Sequence, residues 1–442
     1  MLNKDGKINI LVISISPWSE TNAFGNTLSN FFAGWISGNL YNLYCREELP
    51  DNQICSYYFN INEKQLIKYM LQTNKIGRTY SSSDLEEERQ LKTNSKDIYR
   101  EKKLVDFFRK NRATVFLLAR EMLWAIGGWK NENLDRFLHE NKIDIIFSLG
   151  AEPLYRNSLI RYCYKKTKAK VVLFFADDTF CYKSKNPFKY IYQLLIRKSL
   201  KDLVEISSKL YGASQGLCNE YEQYFSKEIV PLYKGCYFEN NKRKLSTSSP
   251  IKIVYAGNLF YGRWKILKIL ADEIEEINKD SIKIIMEVFT TATITDEINV
   301  ALNRGQSSRI KGALPYEDVK RVLKEADIVL HVESFEPKQI KSTRLSFSTK
   351  IIDCMQSGSC LMAIGPQNIA SIDYLKNIEG PIVVTEISRI GETLSNLIKK
   401  PENILSKANS LQKYAMKQHD INIVHERIQR DFSDLLKDNT FQ

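Results

Sequence analysis

The chain has 442 residues, 43% of them apolar and 26% charged, a composition that excludes intrinsic disorder and collagen-like or low-complexity classes. That length exceeds one ordinary core, so two domains of roughly 200 residues are expected. A formal charge of +12 calls for an acidic partner, and nucleic acid, anionic lipid and phosphorylated small molecules all qualify.

The basic excess is local. Between Ala151 and Leu200 eleven Lys and Arg residues are opposed only by Glu152, Asp177 and Asp178, and a second basic cluster runs from Arg100 to Arg112. One face of the N-terminal half is therefore expected to be positive, either as a solvated face or as an attachment to an anionic membrane surface. No recognition motif interleaves with these charges, so no nucleic-acid partner is expected. The cysteines form no Cys-x-x-Cys pair and read as small buried apolar residues in a reducing compartment. Met1 to Lys7 is short and polar, without a signal-peptide apolar region, and nowhere do about 18 apolar residues follow one another. The expected location is the cytoplasm, including the inner face of the cell membrane for a peripheral protein.

Ile8–Ser16 is a continuous apolar, β-rich run ended by Pro17, as a strand buried on both faces of a parallel sheet would be. A polar loop through Gly25, Asn26 and Thr27 follows, then an apolar helical stretch from Leu28 to Trp35. The polar segment Tyr80–Lys103 reads as an exposed, mobile insertion. Leu104–Trp124 carries a long amphipathic helical pattern whose apolar side suits a core or a membrane surface. Further strands are expected at Asp144–Leu149, entering the loop at Gly150, and at Lys170–Ala176, ending at Asp177-Asp178. Ser208–Ala213 and Glu228–Leu232 close this half, and polar Glu239–Pro250 reads as a linker. A second series of strands follows at Ile251–Ala256, Ile282–Phe289, Ile310–Gly312, Ile328–Val332, Cys360–Ile364 and Ile382–Val384. Helices are expected between them, and Asn403–Leu436 is helical with a break near Asp420.

This alternation gives an α/β chain with two doubly wound, Rossmann-like parallel-sheet domains facing a cleft. Residues 1–238 form the first domain, with the insertion at 80–103, and 239–250 the linker. Residues 251–420 form the second domain, and 421–442 a C-terminal helix and tail crossing back to the first. Lobe closure about the linker would exclude water from the cleft.

Ser346-Phe-Ser-Thr-Lys-Ile-Ile-Asp-Cys-Met-Gln-Ser-Gly358 is the most informative stretch. Ser348 or Thr349 stands where a helix N-cap belongs, and a helix start suits a phosphate. Lys350 in the first turn opposes the helix dipole, which makes sense if an anion binds between them. Asp353, one turn on, is placed to accept hydrogen bonds from ribose hydroxyls. The four histidines make no metal-binding spacing, and Asp177-Asp178 is adjacent, not a spaced dyad, so no metal site is expected.

With the apolar strand and Gly365-Pro366 that follow, this stretch resembles bacterial GT-B glycosyltransferases of the family 4 type, which act in capsular and other surface polysaccharide assembly. Asn22–Thr27, Arg120–Trp124 with Trp129, Ala256–Arg263, Leu330–Phe335 and Ala370–Leu375 are similar to other segments of that family, so the resemblance spans nearly the whole chain. It implies a nucleotide-sugar donor as co-substrate, no further cofactor, and a saccharide or lipid-linked saccharide acceptor. By the same resemblance the donor is held by Gly257, Asn258, Arg263, Lys265, Ser348, Thr349, Lys350 and Asp353. Gly25, Asn26, Thr27, Gly150 and Glu152 would form the acceptor wall, and Asp178 would act there as base or orient the sugar. Many relatives carry two glutamates eight positions apart; here Leu345 takes the first place and Asp353 the second, with Glu333 or Glu336 as the substitute acid. Retaining, metal-independent transfer is the expectation. A sugar-nucleotide epimerase of the same architecture and a non-catalytic partner subunit are the rival readings.

Overall fold

The structure is a computed structural model, and it describes residues 7–20, 22–72, 75–81, 83–85, 88, 114–151, 153–181, 186–238 and 250–437. Two compact units divide the chain. One comprises Met1–Ala213, Cys218–Leu232 and His425–Gln442, the other Ser214–Leu217 and Tyr233–Val424.

The first unit is built on eight strands: β1 (Ile10–Ser14), β2 (Leu40–Tyr44), β3 (Tyr57–Asn60), β4 (Arg78–Ser81), β5 (Ile145–Leu149), β6 (Lys170–Phe175), β7 (Ser207–Gly212) and β8 (Val230–Pro231). Their order is β4-β3-β2-β1-β5-β6-β7-β8. The pairs are parallel except β3–β4, an antiparallel edge. β1, with every residue buried, fits the apolar run that foretold it. The C-terminal helix Ile421–Lys437 brings Phe432 against Phe32, Trp35 and Phe147 of this unit, with ring centroids 5.9 to 6.5 Å apart. Tyr211 also donates to Asp431 Oδ2 on that helix at 2.5 Å. Buried aromatic surface of this size is what ties the end of the chain to the first unit.

The second unit has six parallel strands: β9 (Ile251–Ala256), β10 (Ile284–Phe289), β11 (Ser308–Gly312), β12 (Ile328–Val332), β13 (Cys360–Ile364) and β14 (Ile382–Val384). Their order is β11-β10-β9-β12-β13-β14. Two apolar clusters cover the faces of this sheet, one built on the helix Arg263–Ile277 and the other on Lys350–Gln356 and Glu402–Gln418.

The insertion expected at 80–103, the first part of the helix expected from Leu104, and linker residues 239–249 lie largely outside the described residues. The helix that follows spans Thr114–Ile126.

Candidate functional site

The strand order of the second unit turns at β9, with β10 on one side and β12 on the other. Such a switch point opens a crevice beyond the carboxyl ends of the strands. Tyr255 and Ala256 from β9, Leu330 to Glu333 at the end of β12, and the turn Ser346–Lys350 line a cavity of about 250 Å³ there.

Arg263 stands in that cavity at the start of its helix, behind Gly262. Gly262 has φ +74°, and a Cβ on it would meet Ser334 Oγ at 2.8 Å, so the turn that presents Arg263 needs glycine. The guanidinium is fixed by Nε donating to Val332 O (3.0 Å), Nη1 to Asn258 Oδ1 (2.9 Å) and Nη2 to both carboxylate oxygens of Glu333 (3.1 and 3.0 Å). Arginine has five N–H donors, so at least one on Nη1 is left over for a ligand. Burial raises the Glu333 pKa and the Arg263 charge opposes the rise. Glu333 thus aims Arg263, and its carboxylate is spent on that contact.

Beside this pair stands His331, 6% exposed, its Nε2 3.4 Å from Glu333 Oε1 but making no hydrogen bond. Desolvation, then the charges of Arg263 and Lys350, press its pKa down to about 3, so the imidazole is neutral. A buried nitrogen without a partner is costly unless a ligand meets it.

Lys350 supplies the second cation. Desolvation comes first and the like charge of Arg263 second in lowering its pKa. Its side chain passes bare backbone: a Cβ on Gly257 would lie 3.0 Å from Lys350 Nζ and 2.8 Å from Tyr255 Oη. A Cβ on Gly257 would push these two side-chain tips aside, while its own N–H is bonded to Phe289 O at 3.0 Å. Among the described residues no carboxylate pairs with Lys350, whereas Lys265 is paired with Glu336. Glu333 and Asp353 act on the Lys350 charge only through space, without an ion pair, and a cavity lined by an aimed arginine and such a lysine suits an anion.

No family model and no curated protein sequence matches the chain. Solved structures do resemble it. Anabaena HepE, in a crystal structure in complex with UDP, aligns with a TM-score of 0.61 at 12% identity over 97% of this chain and 100% of its own. Sucrose-phosphate synthase from Thermosynechococcus elongatus gives 0.58 at 10% identity over 98% and 100%. The α,α-trehalose 6-phosphate synthase from Burkholderia multivorans gives 0.59 at 7% identity over 98% of each chain. The fold is GT-B. The expected pair of Rossmann-like sheets is thereby met, and these neighbours are nucleotide-sugar glycosyltransferases.

Within the GT-B second domain, Asn258, Arg263, Glu333, Ser348, Thr349 and Lys350 come together at the cavity. Lys265 and Asp353 are not part of its lining. Lys265 is held at the surface by Glu336. Asp353 accepts from Tyr316 Oη at 3.3 Å, and burial raises its pKa against the opposing Lys234. Thr349 takes the cap position of the helix Lys350–Gln356 but makes no side-chain cap bond, and Ser348 N donates to Ser371 Oγ at 3.1 Å.

In the first domain, Gly25, Asn26 and Thr27 are not in a loop but in the first turns of the helix Ala23–Phe32, capped by Asn22, whose Oδ1 accepts from Gly25 N at 2.7 Å. Gly25 serves close approach: a Cβ there would lie 2.0 Å from Ser19 O. Gly150 likewise packs on the Phe175 ring, 2.2 Å from where its Cβ would be. Asp178 Oδ1 accepts from Cys181 N (2.8 Å), Phe180 N (3.2 Å) and Tyr221 Oη (3.1 Å), the work of a turn cap. Glu152 lies outside the described residues. His331 was missed by sequence reasoning, because a lone histidine in an apolar strand carries no spacing signal. Among the described residues no cluster of three or more His, Cys, Asp or Glu side chains is arranged to hold a metal ion.

Proposed function

We propose that this chain is a glycosyltransferase that moves a sugar from a nucleoside-diphosphate sugar to a saccharide or lipid-linked saccharide acceptor. The observation that carries the reading is Lys350: an ammonium with no ion-paired carboxylate among the described residues, set against the bare backbone of Gly257 in the cavity that Arg263 also enters. Such a pair suits a diphosphate, whose negative charge grows as the glycosidic bond to it breaks. Preorganised cations acting on that growing charge lower the barrier without a reorganisation step. Glu333 acts as the positioning residue for Arg263. Asp353, one turn beyond Lys350 and bonded to Tyr316, is the proposed ribose contact. The likeness to HepE, solved with UDP and with UDP-glucose, supports a nucleotide-sugar donor.

With two cations assigned to the leaving group, the proposed transfer is metal-independent. Retention at the anomeric carbon, a role in surface polysaccharide assembly and a place at the cytoplasmic face of the membrane complete the proposal, on the resemblance of Ser346–Gly358 and its companion segments. The test is a thermal-shift panel of uridine, guanosine, adenosine and thymidine diphosphate sugars, with and without EDTA. One base series is expected to raise the melting temperature equally in both conditions. No shift from any member refutes donor binding, and a shift abolished by EDTA refutes metal independence.

A further inference from the structure

Among the described residues 22 large hydrophobic side chains are exposed, and 12 of them lie on three helices of the first unit: Glu63–Gln72, Thr114–Ile126 and Pro187–Ile206. The middle helix packs beside each of the others, so their outer faces are neighbours. Solvent-facing helices in a globular protein carry charge on the outside. These do the reverse.

Over Phe116–Ile126 the exposed positions are Phe116, Ala119, Met122, Ala125 and Ile126, all apolar. Glu63–Gln72 exposes Ile67, Tyr69, Met70 and Leu71, and its exposed charges are Lys64 and Lys68. Pro187–Ile206 exposes Phe188, Tyr190, Ile191, Leu194 and Leu195 on its first half, flanked by exposed Lys189, Lys198 and Lys201. Its acids are Asp202, half exposed and paired with Arg161, and exposed Glu205 at the far end.

We infer that these three helices form a docking face for an anionic lipid bilayer, with the apolar side chains entering the interface and the lysines meeting the headgroups. The pattern of apolar face plus lysine rim is that of helices lying in a membrane interface. Charge decides the occupant: five exposed lysines outnumber Glu47, paired with Lys64, Asp202, paired with Arg161, and Glu205, and favour a negatively charged surface. The inference rests on the first unit's surface and not on the cavity, so it holds whether or not the chain transfers a sugar.

The experiment is co-sedimentation of the full chain with vesicles of phosphatidylethanolamine containing one-third phosphatidylglycerol, against vesicles of phosphatidylcholine alone. Ile191→Glu/Leu195→Glu and Lys189→Glu/Lys198→Glu/Lys201→Glu are compared with the parent, with melting temperature as the check on folding. Binding to the anionic vesicles, weakened by added salt, is expected for the parent. The lysine variant is expected to lose about five-fold per lysine removed, on the order of 100-fold, and more from the three negative charges added. The apolar variant is expected to lose binding to both vesicle types. A parent that stays in the supernatant, folded variants that bind as the parent does, or a parent that instead dimerises through this face would each overturn the inference.

Discussion

Replacing Lys350 with methionine separates ligand binding from stability by giving them opposite signs. Methionine keeps much of the length and apolar stem of lysine but removes the ammonium. In the free protein that ammonium is partly desolvated and lies near the like charge of Arg263, which together hold its pKa below the ordinary lysine range. A lysine whose pKa is depressed by folding destabilises the native state while it remains protonated, and the penalty fades as pH rises through the folded pKa. Lys350→Met should therefore raise the melting temperature of the ligand-free protein at neutral pH. Binding should move the other way. One charge-assisted hydrogen bond to a diphosphate contributes about 1.5–3 kcal/mol, so the variant should bind a nucleoside diphosphate about 10- to 100-fold more weakly. Isothermal titration with UDP, alongside unliganded melting curves, measures both. In the parent, binding should also weaken as pH climbs through the depressed Lys350 pKa, and the variant should lose that limb. A variant that binds UDP as tightly as the parent refutes the placement of the anion at Lys350.

Glu333→Ala leaves the Arg263 guanidinium buried without its carboxylate, a loss of about 3–5 kcal/mol that urea melts should register. A bound nucleoside diphosphate should recover part of it, giving a larger ligand-induced shift than in the parent. Two glycine substitutions should diverge. Gly257→Ala meets only side-chain tips, Tyr255 Oη and Lys350 Nζ, and is expected to weaken nucleotide binding with little change in stability. Gly25→Ala meets the backbone of Ser19 and should cost about 1–3 kcal/mol or more in stability by overpacking. His331, held neutral with a pKa of about 3, binds a proton in the unfolded chain near its usual 6.5 but not in the folded one. Stability from this site therefore falls as pH drops from about 6.5 toward 3. His331→Leu should flatten that decline in melts between pH 4.5 and 7.5, and should also weaken UDP binding if the orphan nitrogen meets the ligand.

The fold class was legible because strands buried on both faces read as apolar runs, as in β1, β6 and β13. β2 and β3 escaped for a definite reason. Asn42 in the middle of β2 and Asn60 at the end of β3 are buried, their amides donating to Val12 O, Ser14 Oγ and Arg46 O, so polar letters stand in what is interior sheet. Gly25 and Asn26 looked like turn residues, yet the cap supplied by Asn22 starts the helix before them. At the cavity, Lys350 could be picked out by its place at a helix start, and Arg263 only through the family resemblance of Ala256–Arg263. The contact between Arg263 and Glu333 could not, since 70 residues separate partners that only the sheet brings together. Nor could local spacing show that Lys350 borders the cavity while Asp353, one turn away, bonds to Tyr316.

The most direct test of the central claim is release of nucleoside diphosphate from a nucleotide sugar, measured with and without a membrane-extracted saccharide acceptor. The account predicts acceptor-dependent release by the parent chain and its near-complete loss in Lys350→Met. Equal release by both proteins, or none by the parent from any nucleotide sugar with the full acceptor extract, would contradict it.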